Sequence, residues 1–134
     1  MRPTAAVIEP LVPTSVQDAL MVVDHSDNAV VVCDDAARIT YVNQGFVRML
    51  GYTPDEVIHR RPSDFLVGPH TDPDTLEWVR GQLHSQQGYR TELLAYAKSG
   101  VPLWISAVVN PVYDAERKVR NILGIYTDIT HSKL

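Results

Sequence analysis

The sequence predicts an α+β domain in which a five-stranded antiparallel sheet is covered on one face by short helices. Two segments rich in β-branched residues, 29–42 and 90–129, contain short turns of the kind that join antiparallel strands. The stretch between them carries helix-capping residues and prolines at first helical positions. Strand-rich ends around a helical middle define an α+β layout. The space between the sheet and the helices is the natural place for a ligand.

The first 26 residues are expected to lie outside the main fold. Residues 1–14 carry three prolines and no clear period, so we expect a flexible leader. Residues 15–26 are predicted to form an N-terminal cap helix, because their apolar residues recur at helical spacing (Val16, Ala19, Leu20 and Val23). An apolar stripe of this kind needs a cover, either this domain's own sheet or a second chain.

A hairpin and a short helix are predicted next. The run 29–33 is typical of a buried strand, and 39–42 is the returning strand. Asn43 is a good capping residue for a helix at 44–50, which Gly51 ends.

Capping signals place two more helices in the middle of the chain. Thr53, with a glutamate three residues on, forms a capping box for a helix at 54–59. The proline-rich segment 60–73 is expected to be irregular. Asp72 then caps a helix predicted at 73–84.

Three strands are predicted to complete the sheet, at 90–97, 101–113 and 119–129. The turns between them read Lys-Ser-Gly and Asp-Ala-Glu-Arg, both favourable for reversing the chain. Since side chains alternate between the two faces of a strand, each of these strands is expected to present one face to the helices and the other outward.

Composition argues against several classes of protein. The chain has 134 residues and a net charge of −4, which does not favour nonspecific nucleic-acid binding. It has no apolar run approaching the roughly 20 residues that a membrane helix needs. Cys33 is the single cysteine, which excludes an internal disulfide and a CxxC metal site, and a cytoplasmic setting is expected. Sequence motifs of hydrolases, phosphate-binding loops and zinc proteases are absent, so we expect no catalytic activity.

Five short motifs occur in order along the chain and together resemble the PAS signature. They are Tyr-Val-Asn-Gln-Gly-Phe at 41–46, Leu-Gly-Tyr-Thr-Pro-Asp-Glu-Val at 50–57, Lys-Ser-Gly at 98–100, Pro-Val-Tyr-Asp at 111–114 and Gly-Ile-Tyr-Thr-Asp-Ile-Thr at 124–130. The resemblance implies a PAS core at 27–130, with 131–134 the start of a linker to an absent output domain. It also implies a surface salt bridge between Glu56 and Lys98.

A narrower resemblance connects the chain with the light-oxygen-voltage (LOV) flavin domains. Residues 65–73, followed by Arg80, are similar to the stretch after the reactive cysteine of that subgroup. The cysteine would fall at Pro62 or Ser63, and neither carries a thiol, so cysteinyl-adduct photochemistry is not expected. The polar groups that contact the flavin edge are replaced here by Ala95, Ile105 and Tyr126. The resemblance therefore favours noncovalent FAD, with FMN or heme as alternatives.

Nine residues are candidates for cofactor binding: Ser63, Phe65, Leu66, Arg80, Leu93, Ala95, Ile105, Ala107 and Tyr126. In the family, the residue matching Arg80 holds the flavin phosphate; the alternative is an exposed helix arginine. The aromatic and aliphatic residues line the pocket or fill a core. If the family register holds, Leu103 also points inward, whereas Leu94, Tyr96, Trp104 and Val108 point outward.

The resemblance implies a sensor that passes the redox or light state of its flavin to an output such as cyclic-di-GMP synthesis or a histidine kinase. The predicted partner is a second copy, bound through the N-terminal helix and the outer sheet face; the alternative is a capped monomer. A cofactor-free dimerisation module and a heme gas sensor remain open. For heme, the position of the family's proximal histidine falls near Thr75, which is not such a ligand.

Overall fold

The computed structural model describes residues 27–133, and the leader and cap helix predicted for 1–26 lie outside them. The elements, in chain order, are β1 Ala29–Asp34, β2 Ile39–Val42, α1 Gln44–Leu50, α2 Pro54–Val57, α3 Pro73–His84, β3 Tyr89–Tyr96, β4 Pro102–Tyr113 and β5 Val119–Asp128. Single turns of 3-10 helix occur at Pro62–Asp64 and His131–Lys133.

The five strands form one antiparallel sheet in the order β2-β1-β5-β4-β3, which confirms the predicted sheet. The first and last strands pair in its centre, where Val31 lies opposite Gly124 and Cys33 opposite Ile122. This pairing joins the two strand-forming ends of the chain, and it brings β1 beside residues almost a hundred positions later.

The helix predicted at 54–59 ends early, at Val57. The backbone leaves the helical region at Ile58, which has φ −55° and ψ 135°. The following residues instead pair with β2: His59 donates its N–H to the Ile39 carbonyl at 2.8 Å, and Ile39 donates to the Arg60 carbonyl at 2.9 Å. Hydrogen bonds to the exposed edge of β2 therefore replace the last turn of the helix.

Asn43 fastens α1 to the sheet. Its side-chain oxygen accepts the N–H of Phe46 at 2.9 Å, as a helix cap, and also the N–H of Val30 at 2.8 Å. Its amide donates to the Asn28 carbonyl at 3.0 Å. The side chain is fully buried. A buried amide that satisfies both its own groups and two backbone donors fixes the first helix against β1.

The core lies between the inner face of the sheet and the helices. Phe46, Leu50 and Val57 are its fully buried helical members. The buried sheet residues in the same cluster are Ala29, Val31, Cys33, Ile39, Val42, Ala95, Leu103, Ile105, Ala107, Val109 and Tyr126. Alternate residues of β4 are buried, as the two-residue period of a strand requires. Among residues 27–133 no helix is long and apolar enough to cross a membrane.

Candidate functional site: a cavity at one end of the inner sheet face

A cavity of about 590 Å³ opens between the sheet and the helical layer. From the sheet it is lined by Val31, Cys33, Tyr89, Val109, Ile122, Gly124 and Tyr126. From the other side it is lined by Arg61, Ser63, Val79, Arg80, Leu83 and His84. We call the sheet residues in this list the open end of the inner face, and Ala95, Leu103 and Ile105 the packed end.

The hydroxyl of Tyr126 is the buried polar group of the open end. Tyr126 is only 8% exposed, and its hydroxyl forms no hydrogen bond with any residue in 27–133. Its ring lies close to Gly124, where an added Cβ would be 3.4 Å from Tyr126 Cε1. Burial raises the pKa of Tyr126, and nearby Tyr89 and Cys33 raise it further. The side chain is therefore a neutral phenol that can donate one hydrogen bond and accept another.

Cys33 and Tyr89 share this environment. Burial raises the pKa of the Cys33 thiol to about 12, with a smaller effect from Asp34. Burial likewise raises the pKa of Tyr89 to about 12, and Cys33 adds to the shift. Because the thiolate is the nucleophilic form, Cys33 is a poor nucleophile at neutral pH despite lining the cavity.

Cationic side chains lie at the mouth of the cavity. Arg80 projects from α3 with its side chain 68% exposed, and its Nη1 lies 3.1 Å from the Glu77 carboxylate. Arg61 enters from the 3-10 turn, and its Nε donates to the Ala36 carbonyl at 3.1 Å. An exposed ion pair such as Arg80–Glu77 is weak, so the guanidinium remains available to an anion that reaches the mouth.

Three of the nine predicted site residues line the cavity: Ser63, Arg80 and Tyr126. The other six are not among its lining residues. Leu66, Ala95, Ile105 and Ala107 are buried in the core cluster, and Phe65 and Leu93 pack against that cluster. The Phe65 ring meets Tyr52 edge-on at 4.8 Å, with the Arg60 guanidinium 4.6 Å from its centroid.

The predicted division of β3 and β4 into inner and outer faces agrees with the burial pattern. Leu103, Ile105 and Ala107 are buried, whereas Trp104 and Val108 are half-buried on the opposite face. Tyr96 is held at the sheet edge: an added Cβ on Gly68 would lie 2.4 Å from its ring, and its hydroxyl accepts the His70 N–H at 2.9 Å. Glu56 and Lys98 form the predicted salt bridge, and the hydrogen bond from Lys98 lowers the pKa of Glu56 to about 2.

Several lining residues were not predicted as part of a site, notably Cys33, Arg61, Tyr89 and Gly124. Alternation backward from Tyr126 places Gly124 on the same face of β5, and this signal was available in the sequence. The positions of Cys33 and Tyr89 depend on the pairing of β1 with β5 and of β3 with β4. That register is not visible along the chain.

Comparison with known proteins establishes the family. Residues 27–131 match the model of the PAS domain family described as "PAS domain". The chain therefore belongs to the PAS domain family, and it is a sensor domain rather than an enzyme.

Individual relatives are sensors of light and oxygen by name. The chain is 33% identical to blue-light-activated histidine kinase 1 of Erythrobacter litoralis over 92 residues, which are 69% of this chain and 25% of that protein. It is 29% identical to oxygen sensor protein DosP of Escherichia coli over 114 residues, 85% of this chain and 14% of that protein. The chain thus spans a quarter or less of these two relatives.

A solved light-oxygen-voltage domain, studied with a flavin analogue, has a similar structure. The TM-score is 0.78 and the sequence identity 28%, over 90% of this chain and 89% of that one. Both the fold and the narrower likeness to LOV domains are therefore supported by a structural relative.

Proposed function

We propose that this PAS domain binds a flavin noncovalently, with FAD favoured, and passes the redox or light state of the flavin to a downstream output domain. The main support is the cavity lined by Tyr126, whose buried hydroxyl forms no hydrogen bond with any residue in 27–133. A buried hydroxyl without a partner costs about 1–3 kcal/mol, so a ligand that bonds to it gains affinity at this point.

The cavity suits the chemistry of a flavin. Its volume lies within the roughly 300–1,000 Å³ typical of small-molecule sites. Val31 and Val109 give apolar walls for a flat ring, and Tyr126 can bond to a ring carbonyl or nitrogen. Arg61 and Arg80 at the mouth can hold phosphate with paired, permanently charged donors. Two guanidinium groups support FAD, whose two phosphates offer one partner to each.

We propose noncovalent flavin binding because no reactive thiol stands at the positions where LOV domains carry their cysteine. Pro62 and Ser63, where the LOV cysteine would fall, cannot form a thioether. The thiol of Cys33 lines the cavity from β1, but its raised pKa keeps it protonated. When bound, a flavin supplies light absorption and one- or two-electron chemistry, while the protein binds and orients it.

A short series of residues and hydrogen bonds connects the cavity with the end of the domain. Tyr126 lies two residues before Asp128, whose carboxylate accepts the N–H of Thr130 at 2.9 Å. The Thr130 hydroxyl in turn accepts the Trp104 N–H at 2.9 Å, and Ile129 donates to the Trp104 carbonyl at 2.9 Å. A change in hydrogen bonding at Tyr126 would act on this junction of β4 and β5, where the chain leaves the sheet toward the output. We propose a histidine kinase or a cyclic-di-GMP enzyme as that output, in the cytoplasm.

The test is a visible spectrum of the freshly purified domain, followed by heat release and chromatography of any chromophore. Blue-region flavin bands and released FAD support the proposal. A colourless protein that takes up neither FAD nor FMN contradicts it, and would favour the cofactor-free interaction module.

The phosphate contact has its own matched control. Arg80→Gln should weaken FMN binding about tenfold, or about 1.4 kcal/mol, and leave riboflavin binding unchanged. Arg120→Gln, an exposed arginine on β5 that does not line the cavity, should change neither. Equal losses for FMN and riboflavin in Arg80→Gln would mean that the arginine does not hold phosphate.

Heme is a second candidate because His84 lines the mouth of the cavity. A neutral imidazole is a common axial ligand of heme iron. Added heme should then give a Soret band that His84→Ala abolishes and His70→Ala does not. Absence of that difference removes His84 as a ligand and with it the observation that favours heme.

We also propose a homodimer formed through the 15–26 helix and the outer sheet face. Val30 points to the outer face, since its neighbours Ala29 and Val31 belong to the inner cluster. Ile125 and Val108 continue this apolar row across β5 and β4. Light scattering should give a dimer that Val108→Asp converts to monomer; a monomeric parent chain contradicts the proposal.

A further inference from the structure

Three aromatic side chains lie between the cavity and the surface. Trp78 on α3 is 46% exposed. Its ring meets that of Tyr89 edge-on, with centroids 5.7 Å apart and planes 78° from parallel. Tyr89 in turn lines the cavity. The indole of Trp78 is therefore exposed to solvent and, through Tyr89, contacts the wall of the ligand site.

The second step, from Tyr89 to Tyr126, lies within the cavity wall. Tyr89 pairs with Val109, and Val109 pairs with Gly124, so the three occupy one row across the inner face. The ring of Tyr126 lies close to Gly124 at the end of that row. Both tyrosines line the same cavity, and Tyr89 is near enough to raise the pKa of Tyr126.

We propose that Trp78, Tyr89 and Tyr126 form an electron relay between a one-electron oxidant bound in the cavity and small-molecule reductants in solvent. The proposal rests on the proposed function, because an illuminated flavin would be that oxidant. Tyrosine and tryptophan are the side chains whose rings can lose and regain an electron reversibly, and for tyrosine the phenol proton leaves and returns with the electron. Their close approach here gives the electron a stepwise route in place of one long transfer.

The relay moves one electron from a reductant in solvent to the oxidant bound in the cavity. Tyr126 gives one electron to the bound oxidant, and its phenol proton passes to the hydrogen-bond acceptor of that ligand. Tyr89 then restores Tyr126, and Trp78 restores Tyr89, while protons enter through the open mouth of the cavity. A solvent reductant such as ascorbate restores Trp78 and is itself oxidised by one electron. The bound acceptor gains one electron and one proton, and no protein residue is consumed.

The difference in exposure between Tyr126 and Trp78 places the contact with solvent reductants at Trp78. Tyr126 is only 8% exposed, so a reductant in solvent does not reach it directly. The half-exposed indole of Trp78 can be solvated as a cation and meets the reductant directly. The relay therefore ends at Trp78.

The test uses protein loaded with FMN, without oxygen, under blue light and with ascorbate present. Binding is measured first by quenching of FMN fluorescence, separately from the relay. Transient absorption and electron paramagnetic resonance then follow oxidised indole and the rate of flavin reduction. The chain has two tryptophans, so Trp104→Phe on the opposite face of the sheet is a matched control for Trp78→Phe.

We expect Trp78→Phe to bind FMN normally, to lose the oxidised-indole signal and to slow flavin reduction about tenfold, a barrier increase of about 1.4 kcal/mol. Trp104→Phe should behave as the parent. Equal rates and signals in Trp78→Phe and the parent, with FMN bound, overturn the relay and leave the flavin proposal standing. An equal loss in Trp104→Phe also overturns it. Failure of the parent protein to bind either FMN or FAD overturns both proposals.

Discussion

The two ends of the inner sheet face differ although they are built from the same strands. At the packed end, Ala95 and Ile105 are buried in a cluster with Phe46 and Leu50 from α1. At the open end, Gly124 and Tyr126 border a cavity of about 590 Å³. The named residues of the packed end are all apolar, whereas the open end includes the buried hydroxyl of Tyr126.

This difference shows that small side chains alone do not mark a binding site. Ala95 and Ala107 are small, but they are buried to 0% and 2% exposure and do not line the cavity. The cavity lies instead where Gly124 lacks a side chain and where α3 faces β1 and β5 across the open end. Close packing elsewhere supports the fold while the open end remains available to a ligand.

The largest effect we expect comes from the open end, whose buried groups make the free energy of unfolding fall at alkaline pH. The pKa values of Cys33 and Tyr89 are raised in the folded protein, from 9.0 and 10.0 to about 12. The unfolded chain therefore loses these protons first, and stability that is complete below about pH 9 falls as the pH rises toward 12. Urea unfolding at about pH 8 and about pH 11 should differ by about 4 kcal/mol from these two groups.

Two variants separate this effect from general alkaline destabilisation. Cys33→Ala should reduce the change in the free energy of unfolding between about pH 9 and pH 11, because it removes the group with the larger pKa shift. Tyr113→Phe, at an exposed tyrosine, should leave it unchanged. The same slope in Cys33→Ala and the parent would contradict the assignment.

The next effect concerns the hydrogen bonds by which Asn43 joins α1 to β1. Asn43→Ala removes the cap of α1 and leaves the buried N–H of Val30 without its partner. We expect the free energy of unfolding to fall by about 3 kcal/mol, measured in urea. Asn110→Ala, at an exposed asparagine on β4, is the control. A loss no larger than that of the control would show that Asn43 does not join the helix to the sheet.

Truncation of two valines, one in the core and one beside the cavity, compares the packing of the two regions. Val57 is fully buried in the core, whereas Val109 is a buried residue whose side chain borders the cavity. Val57→Ala should cost about 2 kcal/mol, and Val109→Ala less than about 1 kcal/mol because it enlarges a space that already exists. Equal losses in urea unfolding would mean that the open end is as tightly packed as the core.

The smallest stability effect has the opposite sign. Tyr126→Phe removes a buried hydroxyl that has no partner among residues 27–133. The ligand-free domain should therefore be stabilised by up to about 1 kcal/mol, while flavin affinity falls about fivefold. Thermal unfolding with and without FMN measures both quantities. Destabilisation of the ligand-free domain would mean that the hydroxyl is already satisfied.

Most of the fold could be predicted from local signals. Capping residues gave the bounds of α1 and α3, because Asn43, Gly51 and Asp72 act within one turn of the helix they border. The end of α2 was wrong by two residues, because hydrogen bonds from His59 to β2 connect positions twenty residues apart. A local pattern contains no information about that contact.

The site was predictable only where one strand or helix carried the signal. Tyr126 and Arg80, which the resemblance to flavin domains made candidates, both line the cavity. Cys33 and Tyr89 were missed because three strand pairings bring them together, and sequence alternation gives the face of a strand but not its neighbours.

The most direct test of the account is flavin uptake by the parent domain and by Val109→Phe, which adds a ring to the wall of the cavity. Titration of FAD and FMN, followed by quenching of flavin fluorescence, should saturate with the parent at one flavin per chain. Val109→Phe should show a cooperative unfolding transition in urea, which indicates a folded domain, yet bind no flavin. A parent that binds no flavin, or a folded Val109→Phe that binds as well as the parent, would contradict the claim that the open end of the sheet is the flavin site.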